Sequence, residues 1–185
     1  MTRTRGRAGD LDEAEAAYRA CLDLRPDDPW PLLGLGWVAV EREDHVAASP
    51  YLLRAVDAGD VKTEGYAAML LGAPAKAARD LGEALRWYER AFTADDRHAP
   101  LAMGHLGELH YWLGERAGAR HWYERMLEVT DLPELVAEAC CRLGEMAAAD
   151  GDAARAAKHL ERAAGTGDPA FAGRARELLG QLPRN

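Results

Sequence analysis

The chain has 185 residues, 48% of them apolar, with no long polar tract, which is enough to bury a continuous core. Its 31 acidic residues against 23 basic ones give a formal charge of −8, which argues against nucleic acid and acidic membranes as partners, since both want a basic surface. Three cysteines without a spaced framework point to a reducing compartment. The longest apolar stretch, Trp30 to Val40, is too short to span a bilayer and contains two glycines.

Taken in order, residues 1–8 (MTRTRGRA) read as a flexible basic arm with no apolar segment of the kind a signal peptide needs. Its three arginines could contact nucleic acid, but a solvated arm is the simpler reading. Gly9-Asp10 reads as a turn between helices, followed by a helix over Leu11 to Leu24. A first helix before that turn would need about fourteen residues, and eight stand there, so this unit (9–29) is half a repeat. Four helix pairs follow at 30–60, 61–96, 97–131 and 132–169. Pro50 falls in a second helix and should kink it. Pro74 falls in a first helix, which either runs through it or stops near Gly72. Residues 170–185 hold an amphipathic helix, Phe171 to Leu182, that reads as a terminal cap with Ala175, Leu178 and Leu179 on one face.

The units share a register. A small residue recurs in each second helix at Ala14, Ala48, Ala84, Ala119 and Ala156, in steps of 34, 36, 35 and 37. Four residues on stands a large one: Tyr18, Leu52, Tyr88, Tyr123, Leu160. Seven on stands Cys21, Ala55, Ala91, Met126 or Ala163. Thirteen before the last four alanines stands a Leu-Gly pair, at Leu35-Gly36, Leu71-Gly72, Leu106-Gly107 and Leu143-Gly144. One helical hairpin per period of this size marks a helical-repeat solenoid. The glycine lets two helices approach closely, which outweighs the roughly 1 kcal/mol it costs in a helix.

These residues resemble the tetratricopeptide repeat (TPR) family, whose pattern is Leu-Gly, then Gly-Asp at the turn, then Ala-x3-Tyr-x2-Ala and a closing Pro or Asp. Gly82 to Phe92 (GEALRWYERAF) is close to the family's second helix, and the resemblance covers about Gly9 to Pro169. It implies an all-α, right-handed superhelical solenoid of antiparallel helix pairs, and a binding groove lined by first helices. Carried over position by position, the groove residues are Trp30, Leu33, Trp37, Tyr66, Met69, Leu101, His105, Glu108, Tyr111, Trp112, Arg142 and Glu145. Trp87 and Trp122 are expected to be structural.

Motifs for chemistry are weak. His105 and His110 in HLGELH stand five apart, about 140° apart on a helix, so they diverge instead of sharing a metal. Cys140-Cys141 point about 100° apart and read as buried small residues. Gly34-Leu-Gly36-Trp-Val-Ala39 matches a dinucleotide fingerprint as a string but lacks the strand before it. No catalytic set, cofactor or metal is expected. The expectation is a non-enzymatic protein- or peptide-binding scaffold. A regulatory module of a larger protein and a small-molecule binder are the alternatives. The Arg-rich, Ile-free composition suggests a GC-rich, bacterial source, and a cytoplasmic location is expected. The half-repeat's unmatched stripe, Leu11, Tyr18 and Leu22, is expected to be covered, with homodimer pairing the favoured way.

Overall fold

The computed structural model describes residues 2–94 and 97–183, with side chains from Gly9 onward. Among the described residues there are ten helices and no strand. They are α1 (Thr2–Leu24), α2 (Pro29–Glu41), α3 (His45–Asp57), α4 (Val61–Ala77), α5 (Leu81–Ala94), α6 (Ala99–Trp112), α7 (Arg116–Val129), α8 (Pro133–Ala149), α9 (Ala153–Gly165) and α10 (Ala172–Gln181). The chain forms two compact units, Met1–Ala99 and Pro100–Asn185. Each is built of antiparallel helix pairs, so the all-α helical-repeat expectation holds.

One turn recurs inside the pairs α2–α3, α4–α5, α6–α7 and α8–α9. The second residue after each first helix takes a left-handed conformation: Glu43, Arg79, Gly114 and Gly151, with φ of 59°, 63°, 78° and 80°. The next N–H then donates back into the helix, from Asp44 to Ala39, Asp80 to Ala75, Glu115 to His110 and Asp152 to Ala147, at 2.9–3.0 Å. That same residue starts the second helix. The carboxylates of Asp44, Asp80 and Asp152 accept the N–H groups of Ala47, Glu83 and Arg155 at 3.0, 2.8 and 2.9 Å. Glu115 makes no such cap. Its carboxylate instead meets His110 Nδ1 at 2.6 Å.

The register read from the sequence is the core. Ala48, Leu52, Ala55, Ala84, Tyr88, Ala91, Ala119, Tyr123, Met126, Ala156, Leu160 and Ala163 are all at most 1% exposed. The glycine of each Leu-Gly pair receives the large residue sixteen positions later. A Cβ at Gly36 would lie 2.3 Å from Leu52, at Gly72 2.2 Å from Tyr88, at Gly107 2.8 Å from Tyr123 and at Gly144 2.6 Å from Leu160. Burying each of those side chains contributes roughly 1.5–3 kcal/mol, so the glycine's helix cost is more than offset.

Pro74 lies inside α4, which continues to Ala77, so the reading in which that helix stops near Gly72 is overturned. Pro50 likewise lies inside α3. Ala172 and Ala175 of α10 are buried, and Leu178 and Leu179 pack with Cys140, Cys141 and Leu160, as a helix covering the last pair should.

The N-terminus differs from expectation. The turn expected at Gly9-Asp10 does not form, and neither does the separate arm over 1–8. From residue 2 on, α1 runs unbroken through both, and only Met1 lies outside the described residues. The string Gly-Asp also occurs at Gly151-Asp152, where it turns because α8 is there for α9 to fold back on. The residues on both sides of Gly9-Asp10 belong to α1, so the string here lies inside one helix and closes no hairpin. Gly9 is exposed with open space around its Cα. Gly9→Ala is therefore expected to raise stability by up to about 1 kcal/mol, read as a higher melting temperature. A lower one would mean that Gly9 occupies a turn only glycine tolerates.

Candidate functional site

The first unit holds a cavity of about 680 Å³ walled by Tyr18, Cys21, Arg25, Asp28, Trp30, Pro31, Leu33, Gly34, Trp37 and Tyr66. Its floor is one face of α2, because positions 30, 33, 34 and 37 share a stripe at helical spacing. Asp28 sets the start of that helix. Its carboxylate accepts the Trp30 N–H at 3.1 Å and pairs with Arg25 at 3.0 Å, which fixes Trp30 in the first turn. There the indole is 54% exposed. Leu33 is buried, and Trp37 is half-buried against the first unit's core.

Tyr66 comes from α4. Its ring stacks on His98 with centroids 4.7 Å apart and an 18° interplanar angle, so it is held flat at the cavity wall. Burial, with Glu41 nearby, pushes its phenol above the ordinary range and keeps the hydroxyl neutral. The remaining wall is α1. Tyr18 lays its ring over Gly34 of α2, where a Cβ would come within 2.4 Å of it. Its neighbours on the stripe stay incompletely covered: Ala14 and Leu22 are half-buried and Cys21 is exposed.

Four of the groove residues read from the sequence, Trp30, Leu33, Trp37 and Tyr66, thus meet in one cavity. Met69 packs against the first unit's core and does not line it. Leu101, His105, Glu108, Tyr111 and Trp112 lie on α6 in the second unit. Leu101, Tyr111 and Trp112 are exposed, and His105 Nδ1 stands 3.9 Å from Glu108. Arg142 bonds Glu145 at 3.1 Å, and Glu145 also holds Arg174 of α10 at 3.3 Å, so this pair ties α8 to the terminal helix. Of the stripe proposed for dimer pairing, Leu11 is already buried at 8% exposure and offers little surface. Arg25, Asp28 and Cys21 were not foreseen as lining residues. Cys21 belongs to the α1 stripe, while Arg25 and Asp28 stand in the connection between α1 and α2, which the groove positions did not include.

The other motifs resolve structurally. His110 turns to Glu115 and packs its ring over Gly118, away from His105. Cys140 and Cys141 are buried, and burial pushes both thiols up, Cys141 to about 11. Trp87 packs on the first unit's core and donates to Glu83 at 3.2 Å. Among the described residues no group of three or more His, Cys, Asp or Glu converges as a metal site. No helix among them is long and apolar enough to cross a membrane.

A tetratricopeptide-repeat family model matches residues 4–28, the segment that holds most of α1 and the turn after it. Solved structures extend the likeness across the chain. MamA is 21% identical, with 96% of this chain and 95% of that one covered at a TM-score of 0.69. The fold is that of the tetratricopeptide-repeat proteins. YrrB, described as a TPR protein with an unusual peptide-binding site, is 22% identical over 95% of this chain and 88% of its own, at a TM-score of 0.67. BtubC (BKLC) from P. vanneervenii is 17% identical over 98% and 84%, at a TM-score of 0.74. No curated protein sequence is similar enough to count as a relative. Within this TPR fold, α1 carries the second-helix register through Ala14, Tyr18 and Cys21 and forms one wall of the cavity on α2.

Proposed function

We propose that the chain is a non-enzymatic, cytoplasmic scaffold that binds a protein or peptide partner, and that the cavity between α1 and α2 is its principal binding surface. The observation that supports this is the cavity's lining, three large aromatics (Trp30, Trp37, Tyr66) beside Tyr18 and Leu33, with the Arg25–Asp28 pair at its edge. Trp and Tyr in a pocket with a polar rim are the residues that dominate protein–protein binding. YrrB, a TPR protein with an unusual peptide-binding site, has the same fold and supports the same class of ligand. The groove reading of α6 is kept as a second candidate contact region because Tyr111 and Trp112 are exposed there.

A small-molecule ligand is the second reading, favoured by one observation. About 680 Å³ falls inside the range of pockets that bury drug-sized ligands. A regulatory module within a larger protein would use the same surface.

Cys21 reports directly on this cavity. It is exposed, whereas Cys140 and Cys141 are buried with raised thiols. A thiol reagent should label one cysteine per native chain. Peptides selected on the immobilised chain from a displayed random library should slow that labelling at saturating concentration. Selected peptides that leave the Cys21 rate unchanged would place binding elsewhere.

A further inference from the structure

The cavity on α2 is aromatic on its walls and acidic at its mouth. Trp30 and Trp37 of α2 and Tyr66 of α4 present large rings to one space of about 680 Å³. His98 already stacks on one face of Tyr66, with centroids 4.7 Å apart, so the opposite face is the one that can take a ligand. Trp30 is more than half exposed and also borders a second, more open depression lined by Asp27, Asp28 and Asp60. Its indole is thus the partition between an aromatic pocket and a patch of carboxylates.

Those carboxylates are not equivalent. Asp28 pairs with Arg25 at 3.0 Å and Asp27 with Arg54 at 3.0 Å, so both arginines are committed. Among the described residues no cation pairs with Asp60. One of its oxygens accepts the Lys62 N–H at 2.8 Å as the cap of α4, and the second keeps its lone pairs. Glu41, the last residue of α2, adds negative charge beside Tyr66.

Electron-rich ring faces with an unneutralised carboxylate at their edge select for positive charge. An apolar side chain would fill the volume but gain nothing from Asp60, and an anion would be repelled by it. Among cations, a guanidinium suits the rings better than an ammonium, since it is planar, weakly hydrated and stacks on aromatic faces. Its five N–H donors can reach a carboxylate while the plane stays against a ring. The chain's formal charge of −8 works in the same direction, by drawing a basic segment to the surface before it docks.

We propose that the occupant of this cavity is a basic peptide segment that lays an arginine side chain against Trp30, Trp37 and Tyr66 and directs its guanidinium to Asp60. The inference rests on reading the cavity as a protein-binding surface and names what that surface selects. Recognition then lies on the first helices α2 and α4, which are held in place by Leu52 and Tyr88 seated on Gly36 and Gly72.

The probes are peptides selected on the immobilised chain from a displayed random library and sorted for those that protect Cys21. Such peptides should be rich in arginine. In calorimetry, replacing the key arginine by citrulline, its neutral planar isostere, should raise Kd about tenfold. The same exchange should cost much less in Asp60→Asn, where the side chain still caps α4 but carries no charge. It should also cost less in Trp30→Ala, where a stacking face is gone. Circular dichroism and melting temperature of both variants should match the wild type. Cys21-protecting peptides that lack arginine, or whose Kd is unchanged by citrulline, would overturn the inference and leave the binding surface standing. A citrulline loss equally large in the wild type and both variants would place the arginine elsewhere on the chain and overturn it as well. If no selected peptide protected Cys21, both readings would fall.

Discussion

Gly72→Ala is expected to lower the stability of the chain by about 2 kcal/mol, a drop of roughly 4–8 °C in melting temperature for a chain of this size. The new Cβ would stand 2.2 Å from the Tyr88 ring, well inside contact distance. Tyr88 is 1% exposed, with Ala84 and Ala91 of its own helix buried beside it, so the ring cannot swing into solvent. Overpacking of this kind costs typically about 1–3 kcal/mol, and more where the neighbours cannot move. The helix propensity recovered is at most about 1 kcal/mol. The sign therefore depends on the ring staying put. Gly9→Ala, the same substitution where nothing is near, isolates the propensity gain. A Gly72→Ala chain that melts at or above the wild type would show that the seat is loose and that close helix approach does not set this register.

The reason the repeat core could be read in advance lies in that seat. The side chain that fills it need not be searched for along the chain, because each glycine and its large partner stand sixteen residues apart inside one hairpin. A local regularity thus encodes a tertiary contact. In the turns, glycine itself takes the left-handed residue at Gly114 and Gly151, whereas Glu43 and Arg79 accept that conformation without the usual residue. What could not be read from a short string was whether it closes a hairpin. Gly9-Asp10 and Gly151-Asp152 are the same string, yet the first lies inside α1 and the second turns between α8 and α9. Pro74 posed a similar choice, and the packing of α4 on both sides of it carried the helix through.

The site was half legible. Family positions picked out Trp30, Leu33, Trp37 and Tyr66 because they lie on the first-helix face. They also picked out Arg142 and Glu145, a pair that the structure commits to Arg174. Position alone does not register which charges find a partner on the next helix. The contribution of α1 came from a different rule. The stripe Tyr18–Cys21 read as a surface to be covered, and in the structure it is one wall of the cavity, with Tyr18 laid over Gly34.

Binding of a partner in this cavity is tested most directly by titrating one selected peptide, by calorimetry, into the wild type and into Trp30→Ala. Trp30 is chosen over Trp37 because it is 54% exposed and outside the buried core, so its removal should leave helix content and melting temperature unchanged. An aromatic anchor at the centre of an interface is worth about 2 kcal/mol or more on truncation, and so Kd is expected to rise by roughly thirtyfold. Trp112→Ala serves as the arm that would relocate the site to α6. A Kd unchanged by Trp30→Ala, with the loss carried by Trp112→Ala instead, would contradict a binding site at the α1–α2 cavity.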